Sequence, residues 1–119
     1  METVDIQAAL TAYAAAWNEP DERRRQELIE HVWCEEGVYQ DHRNRVVGCQ
    51  ALREYIHAFK RRYPDLRIEL TGEVLVAGEG VSFTWRARDP EGLVWLTRQD
   101  TATLTRDGKL QSVSGVLND

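Results

Sequence analysis

The sequence predicts an α+β domain in which three helices cover one face of a curved antiparallel sheet. Two features predict it. Apolar residues recur at helical spacing up to about residue 63, and further along they alternate with polar residues, as in strands. The chain has 119 residues, which is one domain's worth, because one core serves roughly 50 to 200 residues. We therefore expect a single domain over residues 1–119.

Two helices are predicted in the first third of the chain. The first carries four apolar residues at helical spacing: Ile6, Leu10, Tyr13 and Trp17. The second starts near Pro20, whose fixed backbone angle suits a first helical position, and ends at Gly37. Its apolar positions are Leu28, Ile29, Val32 and Trp33. The short connection predicts that the two helices pack as a hairpin.

A short strand and a third helix follow. The strand is predicted over Val38–Asp41 and ends at a polar turn over residues 42–45. The helix runs from about Gln50 to Arg62, and Pro64 stops it. One face of this helix is apolar, through Leu52, Ile56, Phe59 and Tyr63. All three predicted helices thus precede the main part of the sheet.

The second half of the chain alternates apolar and polar residues with a period of two. We predict strands over 66–76, 81–87, 93–105 and 109–117, separated by turns that contain Gly, Asp and Pro. Because short turns join consecutive strands, the sheet is expected to be an antiparallel meander.

Composition and charge exclude several classes of function. With a net charge of −5 and an isoelectric point near 5.2, the chain lacks the basic surface that phosphate neutralisation requires, so we expect no nucleic-acid partner. Cys34 and Cys49 lack metal-site spacing with the histidines, so no metal or cofactor is expected. No apolar stretch approaches the length of about 18 residues that a membrane span needs. The sequence therefore predicts a cytoplasmic protein without a membrane partner.

The aromatic residues are the most informative part of the composition. Four Trp and four Tyr stand against two Phe, so most of the rings carry a polar group. Such rings suit a surface that is partly apolar and partly wet, either a pocket lining or an interface, although each one singly is also an ordinary core residue.

One predicted strand breaks the alternation that a half-buried strand should keep. The third strand of the meander carries Arg98 and Asp100 on its apolar face. The apolar residues of that face are Leu96, Ala102 and Leu104. A carboxylate on a core face costs several kcal/mol unless it is paired, hydrogen-bonded or protonated. Two interpretations follow: an ion pair between Arg98 and Asp100, or a functional site.

A second carboxylate, Asp41, ends the first predicted strand on the same face as Tyr39, and His42 follows it. Asp at a strand end is a common turn former, and catalysis is the alternative interpretation. His42 alone is typical of a solvated turn, although Asp41 could bias its charge.

The order of the elements and four short segments resemble a known superfamily. The segments are Trp33–Asp41, Val47–Gly48, Phe83–Trp85 and Asp107–Leu110. Together they are similar to the nuclear transport factor 2-like superfamily and, within it, to the SnoaL-like polyketide cyclases and their relatives. The resemblance covers about Val4 to Leu117 and implies a cone-shaped, half-open barrel of curved antiparallel sheet wrapped around three helices. It also implies an apolar pocket at the wide end and a homodimer through the outer sheet face.

Ketosteroid isomerase belongs to the same superfamily, and three positions here resemble its catalytic residues. Tyr13 resembles the Tyr that donates to the oxyanion, Asp41 the Asp base, and Asp100 the protonated Asp that also donates. This resemblance implies proton transfer next to a carbonyl group, through an enolate held by two hydrogen bonds. Two departures are His42, where that pattern has Pro, and Arg98, whose cation could keep Asp100 ionised.

The sequence supports two main hypotheses of function. The first is an isomerase or cyclase in which Asp41 or Asp100 is the base, Tyr13 polarises a carbonyl, and the ligand is a small apolar or carbonyl-containing molecule. Its predicted ligand-binding residues are Trp17, Trp33, Tyr39, His42, Phe59, Trp85, Leu96 and Arg98. A pocket of about 300 to 1,000 Å³ would hold such a ligand. The second hypothesis is a non-catalytic domain whose polar groups only orient a small ligand.

Two further functions stay open. One is a pure dimerisation module without a cavity, in contact through the Thr- and Gln-rich outer face of strand 93–105, near Trp95 and Gln111. A homodimer through that face is expected for the ligand-binding forms as well. The other is epoxide hydrolysis, because the spacing of Arg98 and Asp100 is similar to that in limonene epoxide hydrolases. The last predicted strand, however, offers no acid for that reaction.

Overall fold

The computed structural model describes residues 3–41, 43–77 and 80–116, and over these ranges it contains three helices and six strands. The helices are α1 (Thr3–Asn18), α2 (Glu22–Val32) and α3 (Cys49–Arg62). The strands are β1 (Trp33–Gln40), β2 (Arg45–Val47), β3 (Arg67–Ala77), β4 (Gly80–Arg88), β5 (Val94–Leu104) and β6 (Leu110–Val116). The predicted α+β class is confirmed. No helix of the described residues is long and apolar enough to cross a membrane.

The strands of the described residues form one open, curved sheet in the order β2-β1-β6-β5-β4-β3. From β3 to β6 each strand runs antiparallel to the next, as the meander predicts. β1 and β6 pair in parallel, whereas the sequence predicts antiparallel pairing throughout. Parallel neighbours need a long crossover connection, and α3 together with the meander supplies it.

The second helix is shorter than predicted. Asp21 caps its N-terminus by accepting a hydrogen bond from the Arg23 backbone N–H at 2.9 Å. The helix ends at Val32, and Trp33, predicted to lie on its apolar face, begins β1 instead. A Cβ atom at Gly37 would lie 2.5 Å from Trp33 Nε1, so the glycine lets the indole pack against the β1 backbone. Gly37 is thus a close-approach glycine and not a helix end.

The segment between β1 and α3 also differs from the prediction. Arg45–Val47 forms β2 and pairs with β1, so the polar turn is shorter than residues 42–45. The third helix begins at Cys49 and ends at Arg62, within one residue of its predicted bounds.

The core lies between the helices and the inner face of the sheet. Its fully buried members come from both layers: Leu10, Ile29, Leu52, Ile56, Leu110 and Val113. On β5, Ala102 is buried and Thr101 is exposed, as the predicted alternation requires. Burying this face of β5 carries Asp100 inward as well.

Two side chains fix the C-terminal end of α1 to the rest of the fold. The Asn18 amide donates to the Ile68 carbonyl oxygen at 2.8 Å and accepts from the Ile68 N–H at 2.7 Å. Lys60 on α3 donates to the Trp17 carbonyl oxygen at 3.2 Å, which satisfies a carbonyl group that a helix end leaves unpaired. The end of α1 that carries Trp17 is therefore held against β3.

Asn18→Ala is expected to lower the free energy of unfolding by about 2 kcal/mol, because two hydrogen bonds of about 1 kcal/mol each are lost. Urea denaturation followed by tryptophan fluorescence measures the change. Gln50→Ala is the control, since the Gln50 hydrogen bond to Glu54 is exposed and its loss should cost less than about 0.5 kcal/mol. Equal losses in the two variants would contradict this role of Asn18.

Candidate active site

A cavity of about 170 Å³ opens between α1, α3 and the inner face of the sheet. In the described part of the chain, seven of its fifteen lining residues are aromatic: Tyr13, Trp17, Tyr39, Tyr55, Phe59, Phe83 and Trp85. The other lining residues are Ala14, Asp41, Ile68, Leu70, Leu96, Arg98, Asp100 and Gly115. The cavity is smaller than the pocket of about 300 to 1,000 Å³ expected for a small-molecule site, and much of its wall is aromatic.

The fold brings most of the predicted site residues to this cavity. Those that line it are Tyr13, Trp17, Tyr39, Asp41, Phe59, Trp85, Leu96, Arg98 and Asp100. Trp33 does not line it; the residue is 1% exposed, and its ring stacks on that of Tyr13 with centroids 5.7 Å apart. Because Gly37 has no Cβ atom, the Trp33 ring packs into the core. There it contacts Tyr13, which lines the cavity. His42 lies outside the described residues.

Six of the described residues that line the cavity are not among the predicted ones: Ala14, Tyr55, Ile68, Leu70, Phe83 and Gly115. Tyr55 precedes Phe59 by four residues and so shares its helix face, and Phe83 precedes Trp85 by two and so shares its strand face. The periodicities that locate the predicted residues therefore also locate these two. No pattern marks Gly115, whose contribution is the absence of a side chain.

Asp41 lies just after β1, and both of its carboxylate oxygens accept hydrogen bonds. The Tyr55 and Tyr39 hydroxyls donate to Oδ2 at 2.9 and 3.2 Å. The backbone N–H groups of Asn44 and Arg43 donate to Oδ1 at 2.8 and 2.9 Å. Burial raises the pKa of Asp41, but these hydrogen bonds outweigh it, and the pKa lies below its ordinary value. Asp41 is therefore ionised at neutral pH. It accepts from the backbone of the turn that follows β1, and it also lines the cavity.

Asp100 lies on the inward face of β5 and is 3% exposed. The Trp85 indole N–H donates to its Oδ2 atom at 2.9 Å. Burial raises the pKa of Asp100 to about 6, although the Trp85 hydrogen bond and the Arg98 charge oppose the rise, and the Asp41 charge adds to it. The ion pairs within the described residues do not include one between Arg98 and Asp100. A direct ion pair thus does not explain the inward carboxylate.

Gly115 on β6 separates the two acids. An ideal Cβ atom at this position would lie 3.4 Å from Asp100 Oδ1 and 3.6 Å from Asp41 Cβ. The two acids therefore border the same space, and a side chain at this position would occupy it.

Tyr13 supplies a neutral hydroxyl to the cavity. Burial raises the pKa of Tyr13 well above its ordinary value, while a hydrogen bond with Trp17 opposes the rise and the Asp100 charge adds to it. Tyr13 is therefore a hydrogen-bond donor throughout the physiological pH range.

The polar groups around the cavity suit proton transfer. Those of the described residues are two carboxylates, one guanidinium and three phenols. Among the described residues, no group of three or more His, Cys, Asp or Glu side chains is arranged to hold a metal ion. The arrangement can accept a proton at one acid and donate hydrogen bonds to a negatively charged oxygen.

A family comparison places this site in context. The sequence model of the SnoaL-like domain matches residues 10–113, which include all three predicted catalytic positions. The chain belongs to the SnoaL-like family. The resemblance drawn from the sequence is thereby confirmed. No curated protein matches the sequence.

Solved structures of SnoaL-like and related proteins superpose on this chain. A SnoaL-like family protein from Agrobacterium tumefaciens, proposed to be an isomerase, is 29% identical with a TM-score of 0.89, covering 98% of this chain and 100% of that one. A Sinorhizobium meliloti protein proposed to be a polyketide cyclase is 16% identical with a TM-score of 0.74, covering 98% and 100%. A Catenulispora acidiphila protein with a ketosteroid isomerase-like fold, in complex with trimethylamine, is 16% identical with a TM-score of 0.68, covering 92% and 85%. At 16% identity, the second and third of these proteins show only that they share the fold of the present chain.

The raised pKa of Asp100 predicts a pH-dependent stability gain in Asp100→Asn. The folded chain binds the Asp100 proton more tightly than the unfolded chain, whose carboxyl has the ordinary pKa of 3.8. Ionisation therefore costs stability as the pH rises from about 4 to 6. At pH 8 the neutral variant, which can still accept from Trp85, is expected to be more stable than the parent chain by up to about 3 kcal/mol.

This gain should shrink toward zero at about pH 4, where the parent carboxyl is protonated in the folded chain. Urea denaturation of both proteins at the two pH values measures it. The cost assigned to the buried charge would be contradicted if the variant were less stable than the parent chain at pH 8 while the two had equal stability at pH 4.

Proposed function

We propose that this chain is a small-molecule isomerase or cyclase that moves a proton at a carbon atom next to a carbonyl group. Asp100 is the base, and Tyr13 donates a hydrogen bond to the oxygen that becomes negatively charged. The observation that carries the proposal is the unequal environment of the two acids. Asp41 accepts four hydrogen bonds, whereas Asp100 is 3% exposed and burial raises its pKa to about 6.

These environments favour Asp100 over Asp41 as the base. A general base works best when its pKa lies near the working pH, because it is then ionised and still binds a proton strongly. Asp100 meets that condition. Protonation of Asp41 would weaken the hydrogen bonds from Tyr39 and Tyr55, which opposes its action as a base. The ketosteroid isomerase pattern assigns the two roles the other way round.

The proposed reaction begins when Asp100 takes the proton from the carbon next to the carbonyl group. The C–H bonding pair then forms a C=C bond, and the carbonyl oxygen becomes an enolate oxygen. The Tyr13 O–H donates to that oxygen, and the Arg98 charge on the same face of β5 favours it. In an isomerase, Asp100 returns the proton to a different carbon. In a cyclase, the enolate carbon attacks a second carbonyl group, and the proton goes to the new alkoxide.

The size of the cavity supports a substrate with one ring or a short chain. An engineered protein cavity of about 150 Å³ holds one benzene molecule, and this cavity measures about 170 Å³. A four-ring steroid is much larger than that. The proposed activities of two structural relatives, an isomerase and a polyketide cyclase, belong to the same class of chemistry and support the proposal.

Cyclohex-3-en-1-one is a suitable probe of this reaction. It has one ring, and its isomerisation to the conjugated cyclohex-2-en-1-one is followed by ultraviolet absorbance. We expect kcat/KM to rise with pH and level off above about pH 6, because Asp100 must be deprotonated. Asp100→Asn should lower kcat/KM by about 100-fold or more, and Asp41→Asn, which keeps an acceptor for both tyrosines, by less than about tenfold.

The opposite pattern, with the large loss in Asp41→Asn, would overturn the assignment of the base. Binding of the ketone without turnover would instead support the alternative function, a non-catalytic domain that orients a small ligand with the same polar groups. Calorimetric titration of the ketone separates that outcome from a simple failure to bind.

We also propose that two copies of the chain associate through the outer face of the sheet. Toward β6, that face carries uncharged polar side chains that bond across strands, whereas its β3–β4 side carries the ion pair between Glu69 and Arg86. Gln99 donates to Ser82 at 2.7 Å, and the Thr103 and Ser112 hydroxyls lie 2.6 Å apart. An uncharged polar surface of this kind can meet its own copy around a two-fold axis without charge repulsion. A small chain with a cavity in its core gains stability from the added burial.

Light scattering is expected to give about twice the chain mass of 13.7 kDa. Thr101→Arg places a charge in the middle of the outer face, between Ser82 on β4 and Ser114 on β6, and should give the monomer mass. Gln50→Arg, at an exposed position on α3, should leave the dimer intact. A parent chain that scatters as a monomer at micromolar concentration would contradict the dimer.

A further inference from the structure

We infer that the cavity binds a small organic cation, an alkylammonium group, between its aromatic rings and its two carboxylates. This inference names the ligand class of the site proposed above and rests on that proposal only in taking the cavity as the binding site. Two observations carry it: the arrangement of the rings and the excess of negative charge.

Trp17 meets three of the other rings that line the cavity at large angles, whereas the planes of Tyr39 and Tyr55 are tilted by 40° to each other. The Trp17 plane makes angles of 89° and 82° with those of Tyr55 and Phe59, at centroid distances of 6.1 and 5.3 Å. Tyr13 also meets Trp17 edge-on, at 81°, and Tyr39 lies 5.1 Å from Tyr55. Several rings around one small space attract a cation through their negative faces, which an uncharged group of the same shape does not gain.

Asp41 makes two of these rings more electron-rich. The Tyr39 and Tyr55 hydroxyls both donate to its carboxylate, and such a bond shifts electron density from the O–H group toward the oxygen and the ring. The faces of these two rings therefore attract a cation more strongly than those of phenols in water.

Among the described residues, the charged groups that line the cavity sum to a negative charge. Two carboxylates, Asp41 and Asp100, stand against one guanidinium, Arg98, and the ion pairs formed within the described residues include neither acid. A buried carboxylate without a counter-ion is unfavourable, and a cation that enters the cavity offsets that cost. A neutral ligand leaves the cost in place, and an anion increases it.

The charges are also ordered from the mouth of the cavity to its interior. Along β5, Leu96 is 38% exposed, Arg98 is half-buried and Asp100 is 3% exposed. Water therefore screens the charge of Arg98 more than that of Asp100. For a cation among the rings, the attraction to Asp100 is therefore weakened less by water than the repulsion from Arg98 is.

Choline and 3,3-dimethylbutan-1-ol test the inference, because they share one shape and differ only in the charged nitrogen that replaces a carbon atom. In calorimetric titrations of the whole chain at pH 8 and constant ionic strength, choline is expected to bind at least about tenfold more tightly. Equal affinities, tighter binding of the alcohol, or no binding of either compound would overturn the inference.

Two variants should act in opposite directions. Asp100→Asn should reduce the preference for choline over the alcohol to less than about threefold, and Arg98→Gln should increase that preference by about threefold. Arg23→Gln, on the exposed side of α2, is the control for long-range charge and should change neither affinity. If Asp100→Asn fails to fold, Arg98→Gln still decides, because an unchanged or smaller preference for choline over the alcohol in that variant would overturn the inference.

The result is separable from that of the proton-transfer proposal. Choline has no carbonyl group, so its binding does not depend on turnover, and cyclohex-3-en-1-one has no charge, so its isomerisation does not depend on cation binding. Isomerisation without a preference for choline would remove this inference alone. A preference for choline without isomerisation would remove only the proposed reaction.

Discussion

The carboxylate of Asp41 organises the cavity because it joins three separate parts of the chain. Tyr39 donates to it from β1, Tyr55 donates from α3, and the turn at residues 43–44 donates through its backbone N–H groups. These bonds fix Tyr39 of β1 and Tyr55 of α3 at the border of a space that side chains do not fill. Protein interiors gain dispersion energy by closing such voids, and rotation of the Tyr39 or Tyr55 ring into this one would break a hydrogen bond to Asp41.

The cavity and the buried charge of Asp100 both oppose stability, and contacts elsewhere offset them. A chain of 119 residues has a modest core, since small domains bury a smaller share of their surface than large ones. Fixed polar contacts such as that between Asn18 and Ile68 hold the helix layer on the sheet without filling the space between them. Sites that keep an unfavourable group are often the parts of a fold that carry function.

Local periodicity was sufficient for the fold class and for the inward direction of Asp100, because a two-residue period decides which side of a strand a residue faces. It was not sufficient at Trp33, since the spacing there suits a helix as well, and the contact with Gly37 that favours the strand is not visible as a pattern. Nor does local sequence encode the parallel pairing of β1 with β6. The donors to Asp41 include Tyr55 on α3, so its strength as an acid depends on tertiary contacts.

The two acids differ because they occupy different positions in the sheet. Within β5 the backbone pairs with both neighbouring strands, and Asp100 lies opposite Phe83 and Gly115, so an inward carboxylate there finds only side-chain donors. Asp41 follows the last paired residue of β1, where two N–H groups of the turn point to it. One acid is therefore well stabilised as an anion, and the other titrates closer to neutrality. A strand end and a strand middle that face one cavity thus produce two acids of unequal strength, the condition under which one acid can move a proton while the other stays charged.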